Sequence, residues 1–345
     1  MATGKTSLTE PPENLKETID WVIKIKNDQA IKGLAEALKN LLDKDGSALA
    51  TEVNGFFATA RSGLKSADRS TAREAFILKS YLNNITHYGR TLSEEEIAHL
   101  KTALEKDVES PGASSGGPIS KLADGLKMFV GKNAGIGGSN YESSYKSASE
   151  SWSSLNPSQH RDCALILLGI MPLLYFGLSY LYWWCSPDSD SSHPKISWAG
   201  QSLTTDQAIT KFLVAFGYTN DLNASKNGQT IATQLQSAFS QLQTAYTEAK
   251  LKQTPPQNES PSYPQFLGKL QEHANDSLSS TDTSSPLTSL YLLSYYYITY
   301  PTYDVQSTSP ATPSFLGYSG TAALAGGAYG FNLGGLGTFM SALLA

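Results

Sequence analysis

From Cys163 to Trp184 the chain runs 22 residues without a charge, CALILLGIMPLLYFGLSYLYWW, between Asp162 and Cys185-Ser186-Pro187-Asp188. No other feature narrows the fold as much, because such a stretch must be hidden from water. It can lie in lipid, where about 20 apolar residues span the hydrocarbon, or in a protein core as a helix that is apolar all round. Tyr180, Tyr182, Trp183 and Trp184, gathered at one end, suit the aromatic belt of a membrane helix. Pro172, after Met171, argues for a bend, since proline inside a helix costs about 3 kcal/mol. Two readings stay open: one continuous span, or a buried helical hairpin bent at Met171-Pro172. The chain's two cysteines, Cys163 and Cys185, separate them. On one helix they lie about 33 Å apart at about 1.5 Å per residue, whereas a disulfide needs Cα atoms about 4.4 to 6.8 Å apart. A bridge therefore requires the bend.

Around this block the apolar residues follow a helical period. Leu15, Ile19, Val22 and Ile23 predict one amphipathic helix, and Ile31, Leu34, Ala35, Leu38, Leu41 and Leu42 predict a second. A third is expected from Ser70 through Phe76, Ile77, Leu78 and Leu82. A fourth is expected where Ser93-Glu94-Glu95-Glu96 precedes Ile97, Leu100 and Leu104, the acidic residues favouring the positive end of the helix dipole. Beyond the block the period returns at Leu203, Ile209, Phe212, Leu213 and Phe216. It then runs longer through Ile231, Leu235, Ala238, Phe239, Leu242 and Tyr246, with Gln234, Gln236, Gln241 and Gln243 on the opposite face. Alternating strand patterns are nearly absent. The expected fold class is mainly α: a bundle-like assembly with a long apolar helix or helical hairpin and low-complexity linkers.

Charge suggests how the chain is divided. Only 17% of residues are charged, against about 25% in ordinary soluble domains, and the 183 residues from Cys163 to Ala345 hold just 10 acidic and 6 basic side chains. A boundary near Asp162 follows. Pro111 to Pro118 and Gly131 to Ser154, rich in Gly and Ser, read as connectors without packed elements. The expected organisation is an N-terminal helical domain over 1–110, a linker region over 111–161, the apolar helix or hairpin over 162–186, a second helical region over 187–304 and an uncharged Gly-rich tail over 305–345. Pro286 to Pro301, with Tyr291, Tyr295, Tyr296, Tyr297 and Tyr300, is too short and too hydroxylated for lipid and reads as a core or partner-facing helix. In the tail, Gly326, Gly330 and Gly334 repeat a spacing that lets membrane helices approach, while eight glycines between Gly317 and Gly337 favour a weakly ordered segment.

The same residues exclude several functions. Net charge is -5 and no basic cluster is present, so a nucleic-acid partner is not expected. His87, His99, His160, His193 and His273 share no metal-ligand spacing, and no metal or other cofactor is expected. Gly4-Lys5-Thr6 lacks the upstream glycine and strand of a phosphate loop. Asp43-Lys44-Asp45-Gly46 lacks a glutamate at the twelfth loop position, where Asn54 stands. His160-Arg161-Asp162 copies a kinase triplet, but Leu167 occupies the place of the magnesium-binding asparagine. Gly317-Tyr318-Ser319-Gly320 ends in Thr321, not the glycine of a nucleophile elbow, and Gly135-Ile136-Gly137-Gly138 has no strand before it. With no paired acid and base, an enzyme is not expected. Met1 to Pro12 lacks the basic flank and apolar core of a conventional secretory signal. Four sequons, at Asn84, Asn223, Asn258 and Asn275, are candidate glycosylation sites and serve as topology probes.

Four stretches in order carry a family resemblance. They are Leu8-Thr9-Glu10-Pro11-Pro12-Glu13-Asn14-Leu15-Lys16-Glu17-Thr18-Ile19-Asp20-Trp21-Val22; Asp162 to Cys185 with its LLGIMPLLYFGLSYLYWWC core; the Tyr-rich Ser289 to Tyr300; and TAALAGGAYGFNLGGLGTFMSALLA from Thr321. In wording and order the chain resembles the variant erythrocyte surface antigen family of Babesia parasites. That resemblance implies a variable antigen subunit on the surface of the infected host erythrocyte, membrane-associated, without a conventional signal. It implies a heterodimer of alpha and beta subunits, antigenic variation, and cell adhesion to a host endothelial receptor. It also implies a longer protein with a membrane anchor, so this chain is expected to be a truncated copy, a recombination donor or a fragment. The alternative is an integral membrane protein spanning the bilayer through 163–184. At an oxidising surface, Cys163 and Cys185 are expected to pair, being the chain's two cysteines and flanking one block.

Overall fold

The computed structural model describes residues 5–12, 14–27, 29–42, 94–111, 116–131, 141–146, 151–186, 196–198, 201–203, 213, 217–218, 228–251, 261, 263–278, 286–287 and 289–291. Eight α-helices and one two-stranded hairpin are found among them. The mainly α expectation holds.

Helix α1, Leu15–Asn27, and helix α2, Ile31–Leu42, follow the expected periods: Leu15, Ile19 and Val22 of α1 and Ile31, Leu34, Ala35, Leu38, Leu41 and Leu42 of α2 are all buried. Asn14 caps α1, its Oδ1 accepting the Glu17 amide at 2.9 Å, which satisfies one of the free N–H groups of the first turn. Helix α3, Glu94–Glu109, places three glutamates in its first turn and buries Leu100, Ala103, Leu104 and Asp107. It lies along α2, where Lys39 pairs with Glu105. The helix expected around Ser70 to Leu82 lies outside the described residues, as does the Asp43 loop.

The linker expected over 111–161 is not one. Pro118–Val130 is a helix, α4, with proline in its first turn and Ile119, Leu122, Ala123, Leu126, Phe129 and Val130 buried. It packs against α1, where Lys26 pairs with Asp124. Residues 141–146 lie on α1, and residues 157–161 open the next helix. Composition rich in Gly and Ser hid a six-residue apolar set at spacings of three and four, and that set is what binds α4 to the core.

Helix α5, Pro157–Cys185, is a single α-helix of 29 residues, about 43 Å long. The hairpin reading is therefore corrected: the helix passes through Pro172 without ending. Its start is strongly specified. Proline stands at the first position, the Asn156 side chain accepts the amides of Ser158 and Gln159 at 3.0 and 3.1 Å, and Gln159 Oε1 accepts the Asn156 amide at 2.9 Å. This reciprocal capping box sets the boundary five residues before Asp162. Every described side chain from Cys163 to Tyr182 is buried, enclosed by α1, α2 and three helices that follow it in the chain. Counted over the described residues, no helix is long and apolar enough to cross a membrane. A helix apolar on all faces and covered by amphipathic neighbours is the centre of a helical bundle.

Strands β1, Ile196–Trp198, and β2, Gln201–Leu203, pair antiparallel with Ile196 opposite Leu203. Leu203, read as the start of a helical period, is a strand residue. The long set from Ile231 to Tyr246 splits into α6, Gly228–Ala238, and α7, Ser240–Leu251. Phe239 sits buried at the break, its amide bonded to Leu235 O at 2.7 Å. Gln241 faces the interior, unlike the more open Gln234, Gln236 and Gln243. Helix α8, Tyr263–Leu278, packs along α7, and α6, α7 and α8 all reach α5. Residues of both halves of the chain form one continuous core. The charge step at Asp162 is thus not a domain boundary; it marks where the chain enters the middle of its own bundle.

Candidate functional site

The two cysteines form no disulfide and are buried in α5, 22 residues apart. A continuous helix holds them about 33 Å apart, so the expected pairing is corrected by the continuity of the helix. Of the sequons, Asn84, Asn223 and Asn258 lie outside the described residues, and Asn275 is in α8. His160 stacks on Trp152, ring centroids 4.3 Å apart and planes 6° apart. That contact occupies the histidine of the kinase-like triplet in packing. Lys5, the lysine of the phosphate-loop look-alike, lies beside two carboxylates, 3.4 Å from Glu10 and 3.6 Å from Glu17. An anion would meet those negative charges first. Among the described residues no group of three or more His, Cys, Asp or Glu side chains could hold a metal ion.

The densest polar arrangement surrounds Asp20, on the buried side of α1. Its Oδ2 accepts Lys16 Nζ at 2.8 Å and the Ser144 amide at 2.8 Å, and its Oδ1 accepts the Tyr141 hydroxyl. Lys16 uses its remaining donors on Glu142 O at 2.8 Å and Ser144 Oγ at 3.0 Å, and stands 4.9 Å from the centre of the Tyr141 ring. A carboxylate nearly closed off from water is tolerable only with such partners. Tyr218 lies close by, its ring centroid 6.4 Å from that of Tyr141, and its buried hydroxyl has no hydrogen-bond partner among the described residues. Burial, with the Asp20 charge adding to it, holds both phenols well above their ordinary range, so they stay protonated. The preceding Gly217 has φ +94 and abuts Asn14, a backbone state that suits glycine.

Two segments converge on this cluster. The N-terminal strap, residues 5–12, bonds through Lys5 N to Ser144 O at 2.8 Å and through Glu10 O to the Tyr145 hydroxyl at 2.8 Å. Leu8 O accepts Trp21 Nε1 at 2.8 Å and faces Cys163 Sγ at 3.7 Å. Sequence reading found the strap through its wording but missed Tyr141, Ser144, Tyr145 and Tyr218, which sit in stretches with no periodicity. The signal that could have found the site was Asp20 itself, an acid one position after apolar Ile19. Chemically, both Asp20 oxygens and all three Lys16 donors are spent on the fold, which fits a fastening better than a reacting centre.

A second buried acid, Asp107 of α3, caps α4. Its Oδ2 accepts the Ile119 amide at 2.8 Å, and its Oδ1 accepts the Ser120 amide at 3.0 Å and the Ser120 hydroxyl at 2.6 Å. At the far end of α5 an aromatic group joins Tyr182, Tyr246 and Phe266, with ring centroids about 6 Å apart as edge-on and tilted rings arrange themselves. Burial and the Tyr246 hydroxyl push the Tyr182 phenol up to about 12.

Compared with protein-family models, with curated proteins and with solved structures, the chain has no match.

Proposed function

We propose that the chain is a variable antigen subunit of the infected-erythrocyte surface, resembling the variant erythrocyte surface antigens of Babesia, that acts by binding and not by catalysis. Its partners under this reading are a sister subunit and a host endothelial receptor, and its part in infection is antigenic variation and cytoadhesion. The observation that carries the reading is where the resembling stretches lie. Leu15 of the first packs on Gly177 of the second, and Leu8 O of the first faces Cys163 Sγ of the second. Tyr291 of the third stacks on Tyr175 of the second, centroids 4.0 Å apart. Three of the four stretches thus meet on α5, as a framework shared among antigens would, leaving the segments between them to differ. The fourth lies outside the described residues.

The test uses antibodies raised against the folded chain on intact infected erythrocytes, followed by binding of the recombinant chain to endothelial cells. Staining of unpermeabilised cells that is abolished by external protease supports the surface assignment, and staining only after permeabilisation sinks it. Binding above that of a chain with residues 43–93 scrambled supports adhesion; equal binding removes it.

A further inference from the structure

We infer that the strap of residues 5–12 and the segment 141–146 form a two-part latch, fastened by the Asp20 carboxylate, which opens as one unit and uncovers Cys163 while the far end of α5 stays closed. Neither segment belongs to a helix, and each is held to the body and to the other by a few named bonds. Segment 141–146 hangs on Asp20 through the Tyr141 hydroxyl and the Ser144 amide, and on Lys16 through Glu142 O and Ser144 Oγ. The strap hangs on that segment through Lys5 N to Ser144 O and the Tyr145 hydroxyl to Glu10 O. Its direct ties to the body are Leu8 O, which accepts Trp21 Nε1 at 2.8 Å and faces Cys163 Sγ at 3.7 Å, and Lys5 Nζ, which stands 3.6 Å from the Glu17 carboxylate.

Because Asp20 holds segment 141–146 and that segment holds the strap, the loss of Asp20's acceptors loosens both at once. What lies beneath is specific. Leu8 is fully buried, and its carbonyl covers the thiol of Cys163 at 3.7 Å. Cys185, buried at the other end of the same helix, has no part in the latch. The chain therefore carries its own paired reporters: one thiol under the latch, one remote from it. Local opening of this kind exposes a site at a free energy below that of global unfolding.

The experiment reads thiol alkylation of the full native chain, peptide by peptide in a mass spectrometer, at urea concentrations below the unfolding transition. In the wild type, Cys163 is expected to react faster than Cys185 and with a weaker dependence on urea. Asp20→Asn, which keeps the shape but removes the charge and one acceptor oxygen, is expected to speed Cys163 by about tenfold or more while leaving Cys185 unchanged. Should Asp20→Asn fail to fold, Tyr145→Phe, which removes the hydroxyl that ties the two segments while keeping the buried ring, is expected to speed Cys163 alone. Where both fold, their effects are expected to be non-additive, as for groups acting on one opening. Equal rates and equal urea dependence at the two cysteines, or variants that move both cysteines together, would overturn the latch. Additive effects of Asp20→Asn and Tyr145→Phe would show that the segments open separately.

Discussion

Asp107 shows how much one side chain can fix. Helix α4 begins at Gly117, which has no side chain to cap it, and the free amides of Ile119 and Ser120 are met instead by a carboxylate from α3. A Cβ at residue 117 would come within 2.6 Å of that carboxylate, so glycine is what allows the acid to approach. Replacing Asp107 by Ala removes the cap and strands buried donors. It is expected to cost about 2 kcal/mol, read as a lower urea midpoint with an unchanged slope. Burial raises the Asp107 carboxyl above its ordinary value of 3.8, against the lowering effect of the Ser120 hydroxyl and of the Ile119, Ser120 and Gly117 amides. A raised acid binds its proton more tightly folded than unfolded, so its contribution is full below the unfolded value and is lost as pH rises through the folded one. The wild type is therefore expected to lose stability relative to Asp107→Asn as pH climbs from about 4 through that window; a difference that grows the other way would show that the amides outweigh burial. This acid was legible in part. It lies three residues after Leu104 on the buried face of α3, where an aspartate needs a partner, but nothing in the spacing says that the partner is twelve residues on.

At the scale of the element, α1, α2 and α3 were readable because polar and apolar residues alternate with a clear helical period. Helix α5 has no such contrast. Uncharged on every face from Cys163 to Trp184, its pattern could say that it is hidden and could not say what hides it. The unbroken course through Pro172 was not legible either, since the local cost of proline, about 3 kcal/mol, is set against packing by five neighbouring helices that only the assembled fold supplies. The same limit explains the split at Phe239, where one apolar residue serves as the end of a helix without interrupting the period. One consequence is sharp. Both cysteines are expected to react as thiols when the purified chain is unfolded without reductant, and mild oxidation of the native chain is expected to yield no intramolecular crosslink. A monomer that migrates faster without reductant, and loses that shift when Cys185 is replaced by Ala, would show that α5 bends after all.

For the molecule as a whole, what misled was charge. The fall in charge after Asp162 looks like a change of domain, yet α1, α2, α6, α7 and α8 all pack on α5, and the core is continuous across the chain. Among the described residues, the regions poor in charge are those nearest the middle or faced with Gln, Ser and Thr, which solvate a surface without ionising. If α5 is a core helix, both of its flanks stay on the same side of any membrane the chain meets. Forced into microsomes behind an added signal peptide, the chain is expected to carry glycans at Asn84 and Asn223 on the same molecule. Glycan at Asn84 alone, with Asn223 modified once 163–184 is deleted, would instead make α5 an anchor.

The position of α5 in the chain also sets a schedule for its birth. The helix ends at Cys185, and α6, which packs along it, begins at Gly228. At about 5 to 20 residues per second a ribosome takes about 2 to 9 s to make the stretch between them. During that interval α1 and α2 have already been made, while α6, α7 and α8, which pack on α5 in the finished bundle, have not. Nascent chains of this protein therefore pass through a brief period in which part of the packing around the uncharged Cys163–Trp184 block is still to be made, and early folding of α1 and α2 against that block shortens its exposure.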